Sequence, residues 1–508
     1  TLGATANQVT ANHRRAVDAV LDATRGRIVC RVNADADPTN DDPACVPYNP
    51  MGTGVNSQAA IDYVTELGWA NIILDQEVVA ASARGEPFST WADPVSVAFG
   101  VEHRRESVGG RASEIDEMNG FFAGNYHASH GKYDVTEGFI ETLVPLAKDL
   151  PFARSLDFNG AVRYTEYSTS GDVVTWKAGL TYRPVDDVMF RVTRSRDIRA
   201  PHLGDLFNAG AAGTSNMFDP FTNTSRQVIT VVSGNPNLQP EEADTTGLGI
   251  VLTPSFLPGF AMSVDYYDIE ITDAISSLPS QQYVLRCFEG QTALCGFIHR
   301  DADGFIELVN AQPANILAQN ASGFDIEMSY DFPASSLISS LSGDFGLRAM
   351  ATIVDTLETI DTTTVIDGAG QIGGFGILGG NLHTPDLRYI AMATYSNGPA
   401  SLTLSMRGTG SVVYNNAFVE CTSSCPPSTS TNPTIDNNHV DAVEYYDLAF
   451  NYKAFEDRAE FFVVVENFMD EDPPAIAGPR GDGFYSGQAN VSYDRLGRIY
   501  RAGVRLSF

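Results

Sequence analysis

Six cysteines stand in three close pairs: Cys30 with Cys45, Cys287 with Cys295, and Cys421 with Cys425. Each pair lies in a polar or proline-rich stretch between apolar segments. Local pairs in even number predict three loop-stapling disulfides and an oxidising compartment, with six free thiols as the alternative. Zinc fits poorly, since Cys421-x3-Cys425 has only His439 as a further ligand nearby. A second group is basic: Arg194, Arg196 and Arg199, in an acidic chain. Guanidinium forks match phosphate or ligand carboxylate oxygens, and they match local acids such as Asp197 and Asp205 equally well. Local pairing is the reading we favour. Residues 301–304, Asp-Ala-Asp-Gly, begin like a calcium loop, but Gln312 occupies the place where such a loop needs glutamate. Asp35, Asp37, Asp41 and Asp42 read as calcium ligands or, better, as a solvated acidic loop. His127-x-x-His130 lacks the glutamate of a zinc protease. No nucleophile elbow sets a serine beside a base. We therefore expect no enzyme, no metal and no cofactor.

The composition points to a different task. The 508 residues carry 63 acidic and 32 basic side chains, a net charge of −31. Charged residues reach only 19%, below the usual ~25%, so the acidity reflects scarce Lys and Arg. A nucleic-acid partner is excluded, because phosphate neutralisation needs a basic footprint. No run of ~18 apolar residues offers a spanning helix. Yet 43% hydrophobic residues suffice for a core or a membrane band. The opening Thr-Leu-Gly-Ala-Thr-Ala-Asn lacks an initiator methionine and any signal-peptide pattern, and reads as a cleaved or truncated start.

Period-two alternation supplies the elements that position these groups. Phe324, Ile326, Met328, Tyr330 and Phe332 fall on one face, with Asp325, Glu327, Ser329 and Asp331 on the other. Tyr500, Ala502, Val504, Leu506 and Phe508 likewise oppose Arg501, Arg505 and Ser507. This is the strand signature, at the ~9–14 residues that suit a tilted crossing of a bilayer. Fifteen such strands are expected, at 69–82, 94–106, 133–147, 155–168, 173–184, 187–197, 242–253, 259–272, 320–332, 342–355, 384–396, 400–411, 441–453, 459–467 and 497–508. Two fit less well. The apolar parity of 259–272 switches between Tyr266 and Ile269, which predicts a bulge. In 69–82, Gln76 interrupts the apolar row, while Ile73 and Val79 lie on the other face.

The connectors alternate in length. Short ones at 85–93, 148–154, 184–186, 254–258, 333–341, 397–399 and 454–458 separate long ones at 107–132, 198–241, 273–319, 356–383, 412–440 and 468–496. The exception is 169–172, short where a long one is due. Short turns at one end and long loops at the other describe an outer-membrane β-barrel. A soluble sandwich or propeller has no reason to sort its loops. We divide the chain into 1–68, an extracellular loop with a disulfide, and 69–508, transmembrane barrel. Fifteen is odd, whereas single-chain bacterial barrels have even strand numbers. An odd number of strands is therefore expected before Thr1, making this the C-terminal part of a longer protein.

The residues resemble a known family. SRDIRAPHLGDLF over 195–207, preceded by Arg194, resembles the motif that TonB-dependent outer-membrane receptors carry after a barrel strand. Its named positions are Arg194, Ser195, Arg196, Arg199, Ala200, Pro201, Leu206 and Phe207. Residues 235–241 and 265–269 continue the likeness, and 466–470 and the closing strand 498–508, with Tyr500 and Phe508 as its assembly signal, complete it. The order of the pieces resembles large alphaproteobacterial members. The resemblance implies an all-β transmembrane antiparallel barrel of 22 strands, of which this chain holds about fifteen. It also implies an N-terminal plug, absent here, that couples to the TonB complex.

On that reading Asp325, Glu327, Asp331, Arg163, Lys177, Arg191, Arg501 and Arg505 face the lumen, where they bond a plug or line a solvated wall. The outer loops offer Phe207, Phe218 and Phe221, the apolar stretch from Phe375 to Gly380, Tyr48 and Trp69. They stack on ligand or pack loops together, and packing is the favoured role. The expected partners are the missing strands and plug, TonB, outer-membrane lipid and lipopolysaccharide, and a small-molecule ligand. The expected function is TonB-energised uptake of a scarce nutrient: oligosaccharide or another organic compound, siderophore or cobalamin. A passive porin is the alternative, followed by a secreted all-β enzyme or lectin.

Overall fold

Side chains that alternate between two environments make strands, and among the described residues they make fifteen of the sixteen strands of one wall. The computed structural model describes every residue except 1, 24–25, 123, 211, 362–364, 376–380, 429–432, 457, 475–492 and 508. The strands are β1 (Leu2–Gln8), β2 (Thr65–Ser89), β3 (Pro94–Ala112), β4 (Gly131–Leu150), β5 (Ala153–Tyr167), β6 (Gly171–Val185), β7 (Val188–Arg199) and β8 (Glu241–Leu252). They continue as β9 (Phe260–Ser276), β10 (Ala314–Pro333), β11 (Asp344–Ile360), β12 (Leu387–Asn397), β13 (Ala400–Thr409), β14 (Val443–Ala454), β15 (Ala459–Glu466) and β16 (Ile499–Leu506). Each pairs antiparallel with the next, from β1–β2 to β15–β16. Val365–Asp367 adds a short strand beside the outer end of β11. All fifteen expected strands are present. β1 is additional: its Gly, Ala, Thr and Asn residues carry no apolar alternation to read.

One face of the wall is apolar and uncovered. Phe99, Ile140, Val162 and Trp176 stand in one register row. Val192, Leu248, Tyr266, Phe324 and Ile353 stand in another. Most of these large side chains are exposed, as a lipid-facing band must be in water-free surroundings. At the short-turn end Phe260, Tyr330, Phe332, Phe345 and Tyr395 form a chain of rings 6.1, 4.5, 5.6 and 5.1 Å apart. That is where an interfacial girdle belongs. Among the described residues, no helix is long and apolar enough to cross a membrane.

Three details differ from the sequence reading. Between Tyr266 and Ile269 the register of β9 is unbroken on both sides. The irregularity lies further on, between Ile271 and Ile275. The apolar parity switches because the environments exchange: Ile271 packs against a loop core on the inner side, while Asp268 and Glu270 take the outer side above the lipid band. In β2, Gln76 does not interrupt a lipid-facing row. Its amide bonds Glu106 at 3.1 Å on the polar face, and Ile73 and Val79 share the outward face with Phe99 and Val101. The long connectors are also more structured than loops.

Together those connectors build a canopy. Ala212–Asp219, Thr224–Val232, Ile306–Ala311 and Ile298–Arg300 form one four-stranded sheet. Its parallel pairing of Thr224–Val232 with Ile306–Ala311 joins two successive long connectors. Met217, Val228, Val284, Val309 and Leu317 make its core. The ion pair of Arg286 with Asp361, nearly buried, ties in a third connector at 2.5 Å. Residues 9–64 fold beside it, with helices Thr10–Val17 and Gln58–Val64; Ser57 caps the second by accepting the Ala60 N–H. All three cysteine pairs are joined as disulfides.

Candidate functional site

The motif arginines of β7 are closed on acids and a threonine of β8 and on Asp205. Arg196 makes a two-pronged bond to Asp244 at 2.9 and 2.7 Å and reaches Glu242 at 3.2 Å. Arg194 bonds Thr246 and lies 3.7 Å from Asp244. Arg199 pairs with Glu241 at 2.9 Å and with Asp205 at 3.3 Å. Ser195 donates to Asp197 at 2.7 Å. Arg196 is registered with Trp176 and Asp244, so Arg194 and Arg196 lie on the outward face above the apolar band, while Ser195, Asp197 and Arg199 take the inner face. After Ala200 and the buried Pro201, His202 caps a short helix, Leu203–Phe207, by accepting the N–H groups of Gly204 and Asp205. Leu206 is buried against Tyr133, Val135 and Leu238. Phe207 lies over Gly131, where a Cβ would stand 2.1 Å from the ring. The motif thus pins a long connector to the inner mouth of β4.

The inner face carries paired charges. Arg163 meets Glu137 at 2.7 Å, Arg501 meets Glu466 at 2.9 Å, and Arg505 meets Glu460 at 2.8 Å. Arg191 reaches Asp265 across β8 with two bonds. Gly249 makes that crossing possible, since a Cβ there would lie 2.1 Å from the Asp265 carboxylate. Asp325 accepts from Thr352 at 2.7 Å. Arg407 holds Asp447 at 3.1 Å and Asp494 at 3.3 Å. Arg191, Asp265, Glu327, Arg388, Arg407 and Tyr445 border a recess of about 560 Å³ in this wall. Lys177 and Asp331 are exposed on the same face.

The canopy aromatics divide. Phe221 packs edge-on to Phe288 at 4.9 Å, beneath Arg300, which stands 5.0 Å from its ring. Arg300 also grips Asp219 at 2.6 and 3.1 Å. Burial alone would raise the Asp219 carboxyl, but bonds from Arg300, Thr222 and the Phe221 N–H hold it below the usual carboxylate range. Phe218 is exposed. Tyr48 packs near His13 at 5.6 Å. Trp69 is half-buried, and its backbone N–H donates to Asp116 at 2.8 Å. Sequence reasoning missed Asp116, a fully buried carboxylate that also accepts from Ser113 and the Tyr126 N–H; one acid in a polar loop gives no signal. Phe375 ends a short strand, and 376–380 and Phe508 lie outside the described residues, while Tyr500 is exposed on β16.

The acidic loops are engaged locally. Asp301 accepts the N–H groups of Asp303 and Phe305, and Asp42 accepts from Tyr63 at 2.6 Å. Burial and that bond push the Tyr63 hydroxyl up to about 12. Among the described residues, no three His, Cys, Asp or Glu side chains converge as a metal site.

A family model described as TonB dependent receptor-like, beta-barrel, matches residues 27–468. No curated protein matches the chain. The siderophore receptor PirA from Acinetobacter baumannii is similar in fold, with 14% identity over 87% of this chain and 55% of that one, at a TM-score of 0.55. A mutant of the ferric enterobactin receptor PfeA from Pseudomonas aeruginosa, in complex with enterobactin, is similar at 14% identity, with 88% and 56% covered and a TM-score of 0.58. The chain spans about half the length of these solved structures.

Proposed function

This chain belongs to the TonB-dependent receptor family, and on that premise we propose that it forms wall and canopy of an outer-membrane transporter for a scarce nutrient. The observation that carries the reading is the sorted meander: an apolar outward face, a charged inner face, short turns at one end and a folded canopy at the other. On this reading the canopy receives a siderophore, cobalamin or an oligosaccharide, and TonB supplies the energy for its passage.

The wall is completed by further protein. Residues 71–89 of β2 are exposed throughout, and six of the eight residues of β16 are exposed, although strand edges are not tolerated in lipid. A 22-strand transporter has a plugged lumen and would need about six strands beyond β1. The paired inner charges around Arg191 and Arg407 would then face the plug.

Uptake of labelled ferric siderophore, cobalamin or oligosaccharide, measured in cells with and without the gene, tests this. We expect uptake of one of these to vanish without the gene and equally without TonB. Uptake that persists without TonB would support a passive channel. A chain that stays soluble without detergent would support a secreted protein.

A further inference from the structure

The geometry points to the uncovered face of the four-stranded canopy sheet as a docking strip for an uncharged glycan. The inference rests on the outer-membrane reading above, which puts this sheet outside the cell, and it narrows the three ligand classes to one. Residues paired across antiparallel strands share a face. Phe218 stands beside Ser225, Asn216 beside Gln227, and Thr214 beside Ile229; Leu308 extends the last row. Asn216, Ser225 and Gln227 are exposed, as are Phe218 at 42% and Ile229 at 41%. The opposite face is filled: Met217, Val228 and Val309 cluster there with Ala274 and Leu317, at the outer ends of β9 and β10. The strip therefore turns away from that part of the wall.

Charge selects the ligand. The connectors 198–241, 273–319, 356–383 and 412–440 hold thirteen acidic side chains and four basic ones. Each of the four cations is engaged. Arg199 pairs with Glu241, Arg286 with Asp361 and Arg300 with Asp219, and Arg226 lies over the Phe305 ring at 3.3 Å. The field over this part of the canopy repels anions, so a ferric catecholate, which carries net negative charge, is disfavoured. The three rows of the strip contain no Lys, Arg, Asp or Glu. Glu307 falls in the register break of the third strand, outside the rows.

Uncharged polar groups and apolar side chains remain. Amides and hydroxyls both donate and accept, which matches the hydroxyl rim of a pyranose. Gln227 donates to Thr214 at 3.4 Å, tying two rows together. Phe218 and Ile229 offer apolar surface to the C–H face of the sugar ring. Rows two residues apart stand about 7 Å from one another, so the strip suits a chain of rings rather than the single bulky disc of cobalamin. Its area is on the order of 200 Å², against ~800 Å² per partner in a stable protein interface.

Glycan binding tests the strip. The receptor is extracted from outer membranes in detergent and applied to a printed array of neutral oligosaccharides of glucose, galactose and mannose, alongside oligosaccharides containing uronic acid. Neutral chains should bind. Phe218→Ala should weaken that binding about tenfold and Gln227→Ala several-fold, while exchange protection over 306–311 stays unchanged because both side chains are exposed. Binding confined to the acidic chains, no binding to the array, or binding indifferent to both variants overturns the proposal. So does a dimer in sedimentation that Phe218→Arg dissolves, since a second copy then occupies the face. The transport reading fails separately. Neutral-glycan binding at the strip together with uptake that persists without TonB leaves the strip and removes the energised transporter; TonB-dependent uptake of a ferric catecholate does the reverse.

Discussion

In the wall, Val192, Leu248 and Phe324 stand in registered rows and remain exposed. In the canopy, Met217, Val284 and Val309 come from separate segments and are buried together. The wall is held by a backbone ladder, which lipid makes obligatory because no water satisfies a stray N–H. The canopy meets water and must hide apolar side chains, so it relies on cores, disulfides and a nearly buried ion pair. The two regions should therefore fail separately.

The largest expected effect is on the canopy. Arg286→Ala removes the cation from a nearly buried ion pair with Asp361, at a cost of about 3–5 kcal/mol. Hydrogen exchange should then lose protection over 280–288 and 306–311 while β4 to β9 keep theirs. Parallel loss in the wall would contradict the separation. The wall has its own weak point: Ile326→Arg should cost about 2–4 kcal/mol near the bilayer midplane, whereas Asp325→Arg, on the inner face, should be much milder. Folding yields in lipid vesicles compare them, and equal effects would overturn the assignment of faces.

Replacing both Cys287 and Cys295 by serine opens a link of sequence separation 8. The chain-entropy account gives about 2–3 kcal/mol, confined to the canopy and visible as proteolysis near 287–295. A smaller effect depends on pH. Asp219 is held below its unfolded carboxyl range, so its bond to Arg300 contributes fully above that range, near ~4, and is lost as pH falls through the folded value. Exchange protection over 298–311 should fall in acid, and Asp219→Asn should flatten that dependence.

The local alternation made fifteen strands legible, because each residue of a membrane wall meets lipid or lumen regardless of what lies far along the chain. The same reasoning placed the disulfides, whose partners are near in sequence. It mistook β9, where the parity switch marks the level at which the canopy covers the inner face, and it misjudged Gln76, whose partner Glu106 is fixed by register with β3. Arg194, Arg196 and Arg199 are legible as a cluster, but of the local acids only Asp205 bonds one of them, Arg199; their main partners Glu241, Glu242 and Asp244 lie more than 40 residues away.

The sequence by itself determined the strand number beyond β1, the sorting of short and long connectors, and the family likeness, since all rest on patterns within one strand or one motif. Only the tertiary structure decided that Thr224–Val232 pairs with Ile306–Ala311, that Arg286 meets Asp361, and that Arg191 crosses Gly249 to Asp265. Those contacts join residues 74 to 79 positions apart. No local periodicity encodes them, because loop partners are chosen by shape and charge after the wall has brought the loops together.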